Sequence, residues 1–160
     1  MCIRDSANTI ADLRYEEIKT VAYIEDHARG AAGILALACD EIYLGPEGSL
    51  GGFGNSTELG ELTFEIQETL IALEKTTERE WSLFYRCLQP TSELHIFTRA
   101  QTGETRAFCP QQIMSLDDKD QWTRGISLND RRYFNVEDLQ TLGHLPVSYT
   151  HLTLPTIYSV

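Results

Sequence analysis

Gly30-Ala31-Ala32-Gly33 opens an apolar run that reaches Cys39 and passes into Asp40-Glu41-Ile42-Tyr43-Leu44. Residues this small leave the amides at the start of a helix open to close approach, and unpaired N–H groups aligned with the helix dipole favour an anionic or oxyanion partner. Gly51 and Gly52, in a flexible Gly51-Gly52-Phe53-Gly54-Asn55 loop beside the presumed cleft, complete a candidate set for holding an oxyanion or a peptide: Gly30, Ala32, Gly33, Gly51 and Gly52. His27 precedes the helix opening, and Ser49 and Ser56 lie in the loops after the second strand, so a Ser/His pair is conceivable. A triad, however, needs an orientation that sequence does not supply, and a loop histidine is the simpler account. Asp40 and Glu41 occupy adjacent strand positions whose side chains point to opposite faces, which argues against glycosidase-like work by a carboxylate pair. Cys39, at the end of an apolar helix, reads as a small buried hydrophobe. With Cys87 and Cys109 it forms no CxxC or other metal-ligand spacing, so no metal or cofactor is expected.

The elements that must position these residues alternate between strand and helix. Ala7 to Arg14 reads as the end of a helix with Ile10 and Leu13 inward, and Thr20 to Ile24 as a buried strand, with Asp26, His27 and Arg29 in the loop after it. Ile34 to Ala38 is apolar on every side, as suits a helix buried all round, and Ile42-Tyr43-Leu44 makes a second, parallel strand. Gly45-Pro46-Glu47-Gly48 is a turn signal. Leu62, Ile66, Leu70 and Leu73 recur at helical spacing, as do Trp81, Phe84, Tyr85 and Leu88 after a polar break at Lys75 to Thr77; both stripes read as packing faces. Leu94 to Thr98 and Thr105 to Phe108 flank Gln101-Thr102-Gly103-Glu104 as a hairpin, and Asp117 to Gln121 is a charged loop ahead of Trp122. Asn135 caps a last helix with Val136, Leu139 and Leu142 inward, ended by Gly143.

Both ends carry a different signal. Met1 to Asp5 can be encoded by ATGTGTATAAGAGACAG, whose reverse complement reads in one frame as Val147-Ser148-Tyr149-Thr150-His151. This looks like a transposon-based sequencing adapter, so residues 1–6 and 147–160 are set apart as non-native and residues 7–146 are taken as one domain or most of one, an internal fragment of an open reading frame. A composition with 42% hydrophobic and 23% charged residues lies in the globular range, enough to bury a core. A net charge of −11 argues against nucleic acid or an anionic membrane surface as partner, since both demand clustered Lys and Arg. No apolar run approaches the length of a membrane span.

The order strand, Gly30-Ala31-Ala32-Gly33, apolar helix, Asp40 to Leu44 and Pro46-Glu47-Gly48-Ser49-Leu50-Gly51 resembles the ClpP/crotonase superfamily, and within it the membrane-linked, ClpP-class serine proteases of the NfeD type. The likeness is strong over Val21 to Gly52 and loose beyond. It implies an α/β, ClpP/crotonase-like βαβ superhelical fold, here a partial domain with a β-hairpin decoration. In that family a serine at the helix opening attacks a peptide carbonyl, a lysine from a following helix is the base, and backbone amides hold the oxyanion. Here the nucleophile position is Ala31 and the base position falls near Ile71, with Lys75 one turn further on as a candidate. The expectation is therefore a degenerate peptidase-type domain that lacks the dyad and binds an extended peptide or a membrane-protein partner in membrane protein quality control, as a homo-oligomer. The full-length protein would be membrane-associated and this fragment soluble. A crotonase-type acyl-CoA hydratase or isomerase is the alternative, since glycine-rich amides can polarise a thioester carbonyl without a serine. An active peptidase with a displaced nucleophile is another.

Overall fold

The computed structural model describes residues 3–52, 63–130 and 133–141. It is a mixed α/β structure in which a parallel βαβ unit is backed by helices and followed by an antiparallel sheet. Helix α1 (Ile3–Asp12) puts Ala7 and Ala11 in the core and leaves Ile10 and Leu13 only half-buried. Ile10 packs against the same core as expected of it, while Ala7 and Ala11 are the fully buried contacts and let the helix lie close against its neighbour α2 (Ala31–Ala38).

Strand β1 (Val21–Ile24), of β-branched and aromatic type, pairs in parallel with β3 (Glu41–Leu44) from Val21↔Glu41 to Ile24↔Leu44. Helix α2 (Ala31–Ala38) makes the crossover that a parallel pair requires. The expectation of a fully buried first strand is corrected. Ile24 is buried, but Val21 and Tyr23 are half exposed, since α2 covers only one face of this two-stranded sheet. A second correction concerns the loop after β1. His27–Ala28 form a short strand, β2, that pairs in parallel with β4 (Ser49–Leu50), His27 opposite Ser49.

Helix α2 approaches α4 (Trp81–Leu88) closely enough that a Cβ on Gly33 would stand 2.9 Å from Cys87 Sγ and 3.1 Å from the Ala28 carbonyl oxygen. Helix α3 (Phe64–Thr77) starts on Thr63, whose hydroxyl accepts from Ile66 N, and runs through the polar segment expected to break it. The break falls at Glu78, which adopts φ 59°, because polarity at a helix surface is harmless whereas a left-handed residue ends the hydrogen-bond ladder. Leu70, Leu73, Trp81, Leu83 and Phe84 join Ile34, Leu37, Ile42, Leu44 and Leu50 in one core.

The expected hairpin is present as β5 (His95–Arg99) and β6 (Thr105–Phe108), with Gly103 at φ 72° in the turn. It is more than a hairpin. Trp122 opens β7 (Trp122–Ser127), which pairs antiparallel with the other edge of β5, and α5 (Pro110–Ser115) lies between β6 and β7 in the chain. Phe97, Phe108 and Trp122 form a second, smaller cluster. Asn135 and Asp138 cap α6 (Val136–Thr141) reciprocally: Asn135 Oδ1 accepts from Asp138 N at 3.0 Å and Asp138 Oδ2 from Asn135 N at 3.1 Å. Leu62, Leu142, Gly143, residues 53–56 and residues 147–160 lie outside the described residues.

Candidate functional site

The structure brings the two glycine-rich segments together at the start of α2. Gly30 caps the helix at φ 52°, a conformation suited to glycine, and its N–H donates to the Gly52 carbonyl at 3.3 Å. Gly51, at φ 90°, donates its N–H to the Ala28 carbonyl at 2.8 Å, and Ala32 N donates to the Arg29 carbonyl at 3.1 Å. Three of the five candidate amides therefore already serve the fold. Gly33 is turned to the core against Cys87, while Ala31 is half-buried and Ala32 exposed at the helix opening. β-Addition along Gly51 to Asn55 meets an obstacle at its start: Leu50 exchanges backbone hydrogen bonds with Phe134, 2.9 and 2.7 Å, which closes that edge. Among the described residues β1, by contrast, pairs with β3 alone, so its other edge is open.

His27 and Ser49, 22 positions apart, are placed side by side by the β2–β4 register. His27 Nδ1 lies 2.7 Å from Ser49 Oγ and His27 Nε2 3.0 Å from Asp26 Oδ1. These distances are those of a Ser-His-Asp relay. The surroundings are not. Ser49 is 3% exposed, and the amides nearest it, those of Gly48, Ser49, Leu50 and Gly51, donate to the carbonyls of Gly45, Asp26, Phe134 and Ala28. The burial of Ser49 shields its hydroxyl from a substrate carbonyl, and none of these four donors is left for an oxyanion. The His27–Ser49 bond acts as a strut between two short strands.

A groove of about 440 Å³ lies on the β1 side of this helix opening. Ile10 from α1, Ala22 and Ile24 from β1, and Leu35, Ala36 and Cys39 from α2 form its aliphatic floor, with Ala32 beside them and Glu25, Asp26 and His27 at one end. No residue of β3 lines it, so it runs along the unpaired edge of β1.

The remaining sequence candidates stand apart from the groove. Ile71 is half-buried against the core. Lys75 is exposed and lines a separate polar cavity of about 510 Å³ with Arg14, Asp40, Glu74 and Arg106; no residue is common to the two cavities. The Asp40 carboxylate accepts from Thr20 N and Oγ1, both at 2.8 Å, and from Arg14 Nε at 2.8 Å, and these bonds hold its pKa down at about 2. Glu41 pairs with Lys19 and Tyr43. Both carboxylates are thus structural. Burial pushes the Cys39 thiol pKa up, and its S–H donates to the Leu35 carbonyl.

Sequence reasoning missed Arg79. Its buried guanidinium donates to the carbonyls of Leu37, Cys39 and Asp40, satisfying the acceptors at the C-terminus of α2. An arginine placed directly after the end of a helix, in Glu78-Arg79-Glu80, was the only available signal. It missed the Glu25–Asp26 rim as well, which becomes a site feature only when the groove is seen. No family model, no curated protein and no solved structure matches this chain. Among the described residues, no helix is long and apolar enough to cross a membrane.

Proposed function

We propose that this is a ClpP/crotonase-type domain of the NfeD-like, peptidase-derived kind that binds an extended peptide without cleaving it. One observation carries the reading: an aliphatic groove runs along the open edge of β1 to a small-residue helix opening, where Ala32 lines it and the neighbouring Ala31 carries no hydroxyl. An open strand edge supplies main-chain hydrogen bonds to a peptide and the groove beside it supplies side-chain selectivity. An alanine offers no nucleophile, and Lys75 lies at a different cavity. In a longer, membrane-associated and oligomeric protein, such a domain would hold segments of membrane proteins for quality control.

Isothermal calorimetry with extended apolar peptides tests the reading, with a coenzyme A thioester as control ligand. Weak, saturable peptide binding is expected, and a fluorophosphonate probe should leave the protein unlabelled. Thioester binding without peptide binding would move the assignment to acyl-CoA chemistry. The displaced-nucleophile reading is favoured by the His27–Ser49 and His27–Asp26 distances alone. Labelling that vanishes on Ser49→Ala would establish it.

A further inference from the structure

The two ends of the groove differ in chemistry. Its floor is aliphatic, whereas Glu25 and Asp26 stand exposed at one end, and no lysine or arginine is among the lining residues. Elsewhere the molecule neutralises carboxylates near its strands: Arg14 holds Asp40, Lys19 holds Glu41, and Arg99 holds both Glu104 and Asp118. Among the described residues, Asp26 at the groove mouth pairs only with the His27 ring, at 3.0 Å and with its side chain 77% exposed, and Glu25 makes no ion pair. Two carboxylates are thus left facing the path along which a strand added to β1 would lie.

We infer that the groove selects an extended peptide bearing a lysine or arginine beside Glu25 and Asp26, with apolar side chains over the floor. The inference rests on the peptide-binding reading and narrows it to a substrate class. Side chains along a strand alternate, so Ala22 and Ile24 share one face of β1, and the bend at Glu25-Asp26 sets the two carboxylates directly beyond them. The matching peptide reads apolar-x-apolar-x-basic in one direction, or the reverse if it adds antiparallel. A second copy of this chain is a poor occupant: at a net charge of −11 it would bring further negative charge to an acidic mouth.

The test uses the full chain and three labelled pentapeptides, Val-Thr-Val-Thr followed by Lys, Gln or Glu, in both chain directions, read by fluorescence anisotropy. The lysine peptide should bind roughly tenfold more tightly than the glutamate peptide at low salt, a difference of the size two exposed ion pairs supply, and the gap should shrink as salt passes about 0.1 M. In the Glu25→Gln/Asp26→Asn double variant the three peptides should bind alike, with affinity for the glutamine peptide retained, because the carboxamide introduced by Asp26→Asn can still bond His27. Equal binding of all three peptides to the parent chain would overturn the charge selection and leave the peptide reading intact. Absence of binding by any of them would overturn the peptide reading itself, and with it this inference. Concentration-dependent dimerisation in sedimentation, blocked by the lysine peptide, would instead assign the groove to a second copy and overturn the inference.

Discussion

The βαβ unit and the antiparallel sheet solve the same problem of burial by opposite means. Around α2 the packing is made of small residues and backbone: Gly33 lets the helix sit on Cys87, Gly30 and Gly51 exchange hydrogen bonds with neighbouring segments, and Arg79 reaches in to satisfy carbonyls. In the sheet of β5, β6 and β7 the work falls to large rings. Phe108 meets Trp122 edge to face at a centroid distance of 5.1 Å and Phe97 at 5.7 Å, and the Arg99 guanidinium lies 4.8 Å over the Trp122 ring while pairing with Asp118. The first region has no room for an added atom, and the second depends on the volume of a few side chains. A peptide groove can be held open beside the first kind of packing, because backbone and glycine contacts fix the helix opening without filling the space next to it.

Removing volume should therefore hurt the sheet most. Phe108→Ala, which deletes the central ring of the aromatic cluster, is expected to cost about 3–5 kcal/mol in urea unfolding, whereas a truncation at exposed Phe64 should be nearly silent. A Phe108→Ala protein as stable as its parent would show that the rings merely touch.

Adding volume should hurt the βαβ unit. Gly33→Ala is expected to cost about 1–3 kcal/mol through overpacking, part of which Cys87→Ala should return by removing the sulfur 2.9 Å from the new methyl. A double-mutant cycle reads this coupling directly. Strict additivity of the two changes would mean that the Ala28 carbonyl, not Cys87, sets the limit.

The smallest effect concerns the charge that ties β1 to the end of α2. The folded-state pKa of Asp40 is depressed from 3.8 to about 2, so its contribution is complete above the unfolded value and is lost as pH falls through the folded one. Asp40→Asn should lower stability at neutral pH by about 1 kcal/mol, solvent screening taking up part of what the depressed pKa would give, and make little difference near pH 2, where the native carboxylate is itself becoming protonated. A stability deficit that stays constant across that acid range would show that the carboxylate's hydrogen-bond geometry matters and its charge does not.

Much of the first region was legible in the residues. The apolar run Ile34 to Ala38 and the strands on either side of it gave the parallel βαβ order, because helical and strand periods are local properties of the chain. The Thr98–Thr105 hairpin was legible for the same reason. His27–Ala28 was not, since a two-residue strand has no period to detect and exists only because Ser49–Leu50 lies beside it. The break between α3 and α4 was displaced for a related reason: composition marks polar residues, whereas the helix ends where Glu78 turns left-handed.

The sequence by itself determined that the chain has a mixed α/β fold, that it carries a net charge of −11, and that Ala31 supplies no hydroxyl at the helix opening. Tertiary structure alone decided which amides are already taken, that Ser49 is buried beside His27, that Lys75 faces a different cavity, and that Glu25 and Asp26 stand at the mouth of a groove. Residue types and local periodicity are written into the chain one neighbourhood at a time. Hydrogen-bond engagement, burial and the sharing of a cavity depend on residues brought together from far apart, and only packing assigns those.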